Sequence, residues 1–341
     1  MITKQDRFLD FLAQEDTQFV IPVYQRPYAW TPRQCHELWK DIVRAGKQGT
    51  SHFMSMVLFR EVEGCTGPLR KIDIIDGQQR IATMTILLNV LKEHLAKTGK
   101  TVAGMGAADV AAKFLQVSDG DSVEAKIQLL SFDLNTLDAV INGSELPAKP
   151  SPRVIDNYRF FQEQMEAEDF DLETFWAGIE QLLVIDAELG VDDKAQGIFE
   201  SLNTKGIPLT TADLVRNYLL VGLPREEQVR LYNEYWNPIE LMFGEDRDSM
   251  KLNSGLRMWL DIRYRKKRLH RAEDTYNSFK EYTMTVYKGT VEELLDELRS
   301  FCLMWAENFK FNEVKVYRTM DWAKDGQRKN LLPGWGHQSG F

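Results

Sequence analysis

The chain has 341 residues, 43% of them hydrophobic and 27% charged, which is the balance of a folded globular protein and not of a disordered one. A formal net charge of -9 argues against a protein coated in nucleic acid, and no apolar run is long enough to cross a bilayer. Cys35, Cys65 and Cys302 are too few and too scattered for a disulfide framework or a zinc ribbon, so a reducing cytoplasm is the expected compartment.

The opening MITKQDRFLDFL carries charges through its apolar positions and is no secretory signal. Residues 4–15 read as a short amphipathic helix on Phe8, Leu9, Phe11 and Leu12, and Gln18 to Tyr24 as a strand. That strand runs into IPVYQRPYAW, whose two prolines forbid a helix and a central strand position. An edge strand or a rigid connector is expected, holding Tyr24, Gln25 and Arg26 in a nearly fixed direction. Tyr24, Tyr28 and Trp30 read singly as aromatic packing around a bend, whereas Arg26 among aromatics suits a base or a phosphate. Thr31 then caps a helix running to about Ala45, with Pro32 at its first position.

His52 to Arg60 reads as a buried strand and Leu69 to Ile75 as its hairpin partner. Next comes the polar knot Asp76-Gly77-Gln78-Gln79-Arg80, followed by Ile81, Met84, Leu88, Leu91 and Leu95 at helical spacing. Asp76 stands where an N-cap belongs, with Gln79 at the capping-box position. Helix-start chemistry alone explains Asp76, Gly77 and Gln79. A strand feeding a helix through a Gly turn also leaves backbone N–H groups at the positive end of the dipole, a ready anion site. Arg80 adds a donor fork suited to phosphate.

Farther on, 100–109 reads as loop, Ala125 to Phe132 as a strand and 141–153 as a linker or surface loop. Asn157 is expected to begin a helix, and Leu182 to Ile185 to form an interior strand. Asp121, Glu124 and Lys126 imitate a nuclease triad, but on one chance spacing they are set aside. From Asp192 to Leu220 a helix–loop–helix corner gathers Asn203, Lys205, Asp213 and Arg216, either as plain turn and cap chemistry or as contacts for a ligand. Thr210 caps the second of these helices with Asp213 at the capping-box position. Beyond 221 the pattern is helical and aromatic. Arg263, Arg265, Lys266, Lys267 and Arg268 form the one dense basic cluster, a solvated helix end or a contact for a DNA backbone. The five histidines are scattered, so no His-built metal site is expected.

Three ordered blocks carry more than any of these signals alone: IPVYQRPYAW, IDIIDGQQRIATMTILL and IFESLNTKGIPLTTADLVRNYLL. Together they resemble the N-terminal domain family of the GmrSD restriction endonucleases, over roughly residues 5–285. The resemblance implies an α+β fold. A ParB/sulfiredoxin-like domain with a small mixed sheet over 1–220, carrying a helical insertion near 100–180, would precede a mainly α-helical domain over 221–341. It also implies an NTP-binding and hydrolysing sensor of modification-dependent restriction, using GTP, CTP or ATP, with Mg2+ as a candidate companion. By the same resemblance Tyr24, Gln25, Arg26, Gly77, Asn203, Gly206 and Asp213 would bind the nucleotide, with Lys205 of the same loop beside them, and Asp76, Gln78, Gln79 and Arg80 would serve catalysis.

The expected partners are modified DNA and an HNH-type nuclease subunit or domain, with no membrane. Two departures stand out. Ser55 replaces a usual Gly, and no HNH-type centre is evident, so the chain reads as a truncated product, a half of a pair, or a sensor that does not cut. The alternative is a non-enzymatic DNA-binding or regulatory module with a vestigial nucleotide pocket.

Overall fold

The computed structural model describes residues 1–62, 69–120, 122–129, 133–190, 193, 197–198, 209–243, 250–265 and 272–308. The chain divides into two compact units. The first holds Met1–Leu209 with Asn217–Val229, and the second holds Thr210–Arg216 with the chain from Arg230 on.

The first unit is built on a mixed six-stranded sheet. Its strands are β1 (Ile2–Arg7), β2 (Thr17–Ile21), β3 (His52–Glu61), β4 (Arg70–Asp76), β7 (Ile127–Leu129) and β8 (Leu182–Glu188), in the order β1-β8-β3-β4-β2-β7. Strands β5 (Gln116–Asp119) and β6 (Ser122–Ala125) form a separate hairpin. β3 and β4 pair antiparallel, as their hairpin spacing predicts, while β2 lies parallel to both β4 and β7. All five residues of β2 are buried, as befits a strand flanked on both sides. Pro22 falls just past its end, so the prolines act as connector and do not weaken the ladder. The helix expected over 4–15 is instead an exposed, charged edge strand followed by the short helix α1 (Phe8–Leu12).

One face of the sheet packs on α2 (Pro32–Gln48), α3 (Gln78–Thr98), α4 (Ala107–Val110), α5 (Leu134–Asn142), α6 (Pro152–Glu166) and α7 (Leu172–Glu180). Val57, Phe59, Ile72, Ile74, Phe19 and Ile127 point into that core. The opposite face carries a smaller cluster of Leu58, Ile75, Ala187 and Leu189. α3 is buried nearly all round and does not show the single apolar face its spacing suggested. Its polar letters Thr83 and Thr85 turn their hydroxyls onto the carbonyls of Gln79 and Ile81 and so need no water. α6 starts at Pro152 behind Ser151, several residues ahead of the expected Asn157.

The second unit is helical in every described segment. It holds the start of the helix Thr211–Leu220, then Asn237–Met242, Met250–Arg263, Ala272–Thr285 and Val291–Asn308. Its core is aromatic, with Trp236, Trp259, Phe279 and Tyr282 buried. The fold is therefore α+β, a mixed sheet with helices followed by a helical portion.

Candidate functional site

The junction between β4 and α3 is where the sequence concentrates its polar side chains. β4 ends on Asp76, which pairs with Leu58, and α3 begins at Gln78. Gly77 between them is the true N-cap, at φ +97, a correction to the expectation for Asp76. Only glycine enters that region freely, and a Cβ there would also lie 3.2 Å from the Met56 carbonyl oxygen. The turn is thus pressed against β3. The N–H of Arg80 bonds back to the Gly77 carbonyl at 3.1 Å. Those of Gln78 and Gln79 have no carbonyl within their own helix to meet.

The three glutamines divide the work. Gln25 donates to the Ile75 carbonyl at 2.8 Å, and Gln78 donates to the Gln25 oxygen at 3.1 Å. Gln79 does not reach back to close a capping box. Its oxygen accepts the Ala29 N–H at 2.7 Å, and its amide donates to the Pro27 carbonyl at 3.2 Å. Both ends of its amide are thereby committed to fastening the loop after β2.

That loop is held from two further sides. Asp133 accepts the Tyr28 N–H at 2.6 Å, and the Tyr28 hydroxyl meets Thr83 at 2.6 Å. Asn157 donates to both the Tyr28 hydroxyl and the Trp30 carbonyl at 2.8 Å. The fixed Trp30 ring lies 5.8 Å from the Arg80 guanidinium, so Arg80 rests half-buried against an aromatic face. Burial lowers the Arg80 pKa, and the Asp76 charge opposes this. For Asp76 burial raises the pKa, while the Gly77 N–H and the charges of Arg80 and Arg26 pull it down. Two guanidiniums and one carboxylate leave a net positive junction at the head of a helix, able to receive an anion.

Asn157 and Asp133 were not singled out by sequence reasoning as site-forming residues. Asn157 did carry a signal, since it stands on the buried face of α6 with Val154, Phe161 and Met165, where a polar side chain must find partners.

The YQR block splits around Gln25. Gln25 and Arg26 serve the junction, whereas Tyr24 is buried near Asp73, Arg60 and Arg225. Burial, reinforced by the Asp73 charge, pushes the Tyr24 phenol far up. In the second unit Thr210 caps its helix and Asp213 closes the capping box, as expected. Its carboxylate accepts the Thr210 N–H at 3.1 Å and also pairs with Arg216 at 2.9 Å. Asn203, Lys205 and Gly206 lie outside the described residues, as do Lys266, Lys267 and Arg268. Arg263 is ion-paired with Glu297 at 2.5 Å, and Arg265 is exposed. Of the triad imitation, Lys126 donates to the Gln14 carbonyl and Glu124 accepts from Gln18, both structural contacts. Ser55 is buried at a register irregularity of β3, its hydroxyl without a hydrogen-bond partner. Among the described residues no group of three His, Cys, Asp or Glu side chains could hold a metal ion, and no helix is long and apolar enough to cross a membrane.

A mixed α+β domain with a basic strand–Gly–helix junction, where a strand turns into a buried helix, defines the class. The chain belongs to the family described as GmrSD restriction endonuclease, N-terminal domain, whose model matches residues 8–220. That match runs from α1 to the end of the helix Thr211–Leu220 and includes all three sequence blocks. Membership ties the chain to restriction and phage defence, and so to DNA. No curated protein matches it.

Proposed function

We propose that this chain is the nucleoside-triphosphate-binding and hydrolysing sensor module of a modification-dependent restriction system. The observation that carries the reading is the β4–α3 junction, where the first N–H groups of α3 open off one rigid glycine turn and the charges of Arg80 and Arg26 both act on Asp76. Phosphates would lie on the helix start, with the two guanidiniums offsetting their charge. Were a magnesium ion to arrive with the nucleotide, Asp76 is the junction carboxylate that would meet it. Between the two glutamines, Gln78 is the one to orient water, because Gln79 spends both ends of its amide on the loop. The ParB/sulfiredoxin-like relationship, a preference for modified DNA, and an HNH-type nuclease partner belong to the same reading.

The test is a thermal shift and a phosphate-release assay with GTP, CTP and ATP plus magnesium, on the wild-type chain and on Arg80→Ala. Binding to the folded state must raise the midpoint. Losing a charge-stabilising arginine should slow hydrolysis by roughly a hundredfold or more. No shift with any nucleotide would instead favour a DNA-binding module without nucleotide chemistry. Equal affinity and rate in Arg80→Ala would remove the junction from the mechanism.

A further inference from the structure

We propose that the sheet face turned away from the main core carries a second anion site, formed by Arg60, Arg225 and Tyr24 around Asp73, for a small phosphate-type oxyanion. The strand register creates it. Arg60 on β3 pairs with Asp73 on β4, Asp73 with Val20 on β2, and Val20 with Gln128 on β7. Their chain neighbours Phe59, Ile72, Ile74, Phe19 and Ile127 enter the main core. Alternation therefore sets Arg60, Asp73, Val20 and Gln128 in one row on the other face. Arg225 bridges this row, 3.5 Å from the Asp73 carboxylate and 3.4 Å from the Gln128 oxygen. Both contacts are long for a guanidinium.

The row is under-satisfied in one chemical sense. Arg60 Nε is buried with no hydrogen-bond acceptor, although Arg60 Nη2 does reach the Asp193 carbonyl at 2.9 Å, and buried Arg225 Nη1 has only its long ion pair with Asp73 in place of a hydrogen bond. Poorly satisfied guanidinium N–H groups are costly, and two guanidiniums beside one carboxylate leave an excess positive charge. A tetrahedral oxyanion supplies acceptors in the fork geometry that guanidiniums bond best. Burial, reinforced by the Asp73 charge, keeps the neighbouring Tyr24 phenol protonated. Side-chain exposures of 29% for Arg225 and 24% for Asp73 admit a terminal oxyanion, not a duplex.

Asp73 acts as the competitor for that anion. The groups facing it are Arg60 from β3, Tyr24 from the connector, Gln128 from β7 and Arg225 from the helix Arg225–Leu231. Burial lifts its pKa to about 6 against the pull of both arginines, so mild acid neutralises it and releases them to the ligand. The site shares no residue with the Asp76–Arg80 junction and stands whether or not that junction binds a nucleotide.

The probe is sodium sulfate, a dianion across the working range, titrated calorimetrically into the full chain at pH 7.5 and pH 5.5 with ionic strength held by chloride. Wild type should bind roughly tenfold tighter at the lower pH, because the bound anion favours protonated Asp73. Asp73→Asn should bind at pH 7.5 as tightly as wild type does at pH 5.5, with the pH dependence gone. Such a gain cannot come from misfolding. Arg225→Gln and Arg60→Gln should each weaken sulfate at least tenfold, while Arg80→Ala leaves it unchanged. A nucleoside triphosphate titrated into Arg225→Gln tells the sources apart. Unaltered affinity assigns the site to a free oxyanion, and a loss parallel to that of sulfate assigns it to a phosphate of the nucleotide. Sulfate affinity indifferent to Arg60, Arg225 and Asp73 alike would overturn the proposal.

Discussion

Asp73 is a carboxylate that folding makes harder to ionise. Burial raises its pKa from 3.8 to about 6, with Arg225 and Arg60 limiting the rise. The native state therefore binds more protons than the unfolded state between those two values. Its contribution to stability is fully present below the unfolded value and is lost as pH rises through about 6. The loss should be about 2–3 kcal/mol between pH 4 and pH 7, at 1.36 kcal/mol per pH unit. Urea unfolding at the two pH values checks it: wild type should lose that much more stability than Asp73→Asn, and parallel behaviour would refute the assignment. Sequence reading found the strand around Asp73 from Ile72, Ile74 and Ile75 but gave Asp73 no role, because its partners come from β3 and from a helix far along the chain. For the opposite reason the Asp76–Arg80 junction was visible at once, since its glycine, its glutamines and Arg80 are consecutive. The exchange of Asp76 for Gly77 as cap was not, because it depends on how closely β3 passes behind the turn.

The crossing of α2 and α7 shows the same limit between elements. A Cβ on Gly46 would stand 1.9 Å from the Thr174 carbonyl oxygen, and one on Gly178 1.9 Å from that of Ile42. Two helices pass backbone against backbone, and only paired glycines permit it. In a free helix Ala is about 1 kcal/mol better than Gly, yet here the clash is with main chain, which cannot swing aside. Gly178→Ala should therefore destabilise the protein by about 2–4 kcal/mol, exceeding the propensity gain. Gly49→Ala is the control. Nothing lies within 4 Å of its Cβ, so only its φ of +60 opposes the change, at about 1 kcal/mol. Denaturant midpoints of the two variants test the difference, and equal effects would mean the crossing is looser than described. From sequence the helix after Thr31 was expected to run to about Ala45. α2 runs on to Gln48 and uses Gly49 as its left-handed cap, leaving Gly46 free for contact. One glycine ends a helix and the other lets a neighbour in, and their letters are identical.

At the scale of the molecule the two units hold together by different means. The first has an apolar core around a helix buried on every side, while the second is centred on a charge. Arg216 is 1% exposed and Glu240 6%. Arg216 bonds both Glu240 and Asp213, and Glu240 also accepts from Tyr232 at 3.2 Å and from the Trp236 indole at 2.9 Å. Read from sequence, Arg216 was one of several polar residues around a loop, because its partner at 240 cannot be seen locally. Inside the fold it answers the cost of burying charge by complete pairing. Glu240→Ala would leave the buried guanidinium under-compensated, with Asp213 but without Glu240, and remove the acceptor of two aromatic donors, a loss of about 3–5 kcal/mol. Since water and salt have little access, that loss should be the same at 0.05 M and 0.5 M sodium chloride. The exposed Arg230–Glu292 pair should behave otherwise, its smaller contribution fading with salt. Replacing both charges, as in Arg216→Met with Glu240→Leu, should recover most of the stability, because the charge that loses its ion partner is then Asp213, which is partly exposed and keeps its hydrogen bonds from Thr210. Guanidinium chloride would itself supply the salt, so urea is the denaturant to use. If Glu240→Ala proved mild, or the double variant no better than the single, the second unit would owe its stability to the surrounding aromatic side chains and not to the buried pair.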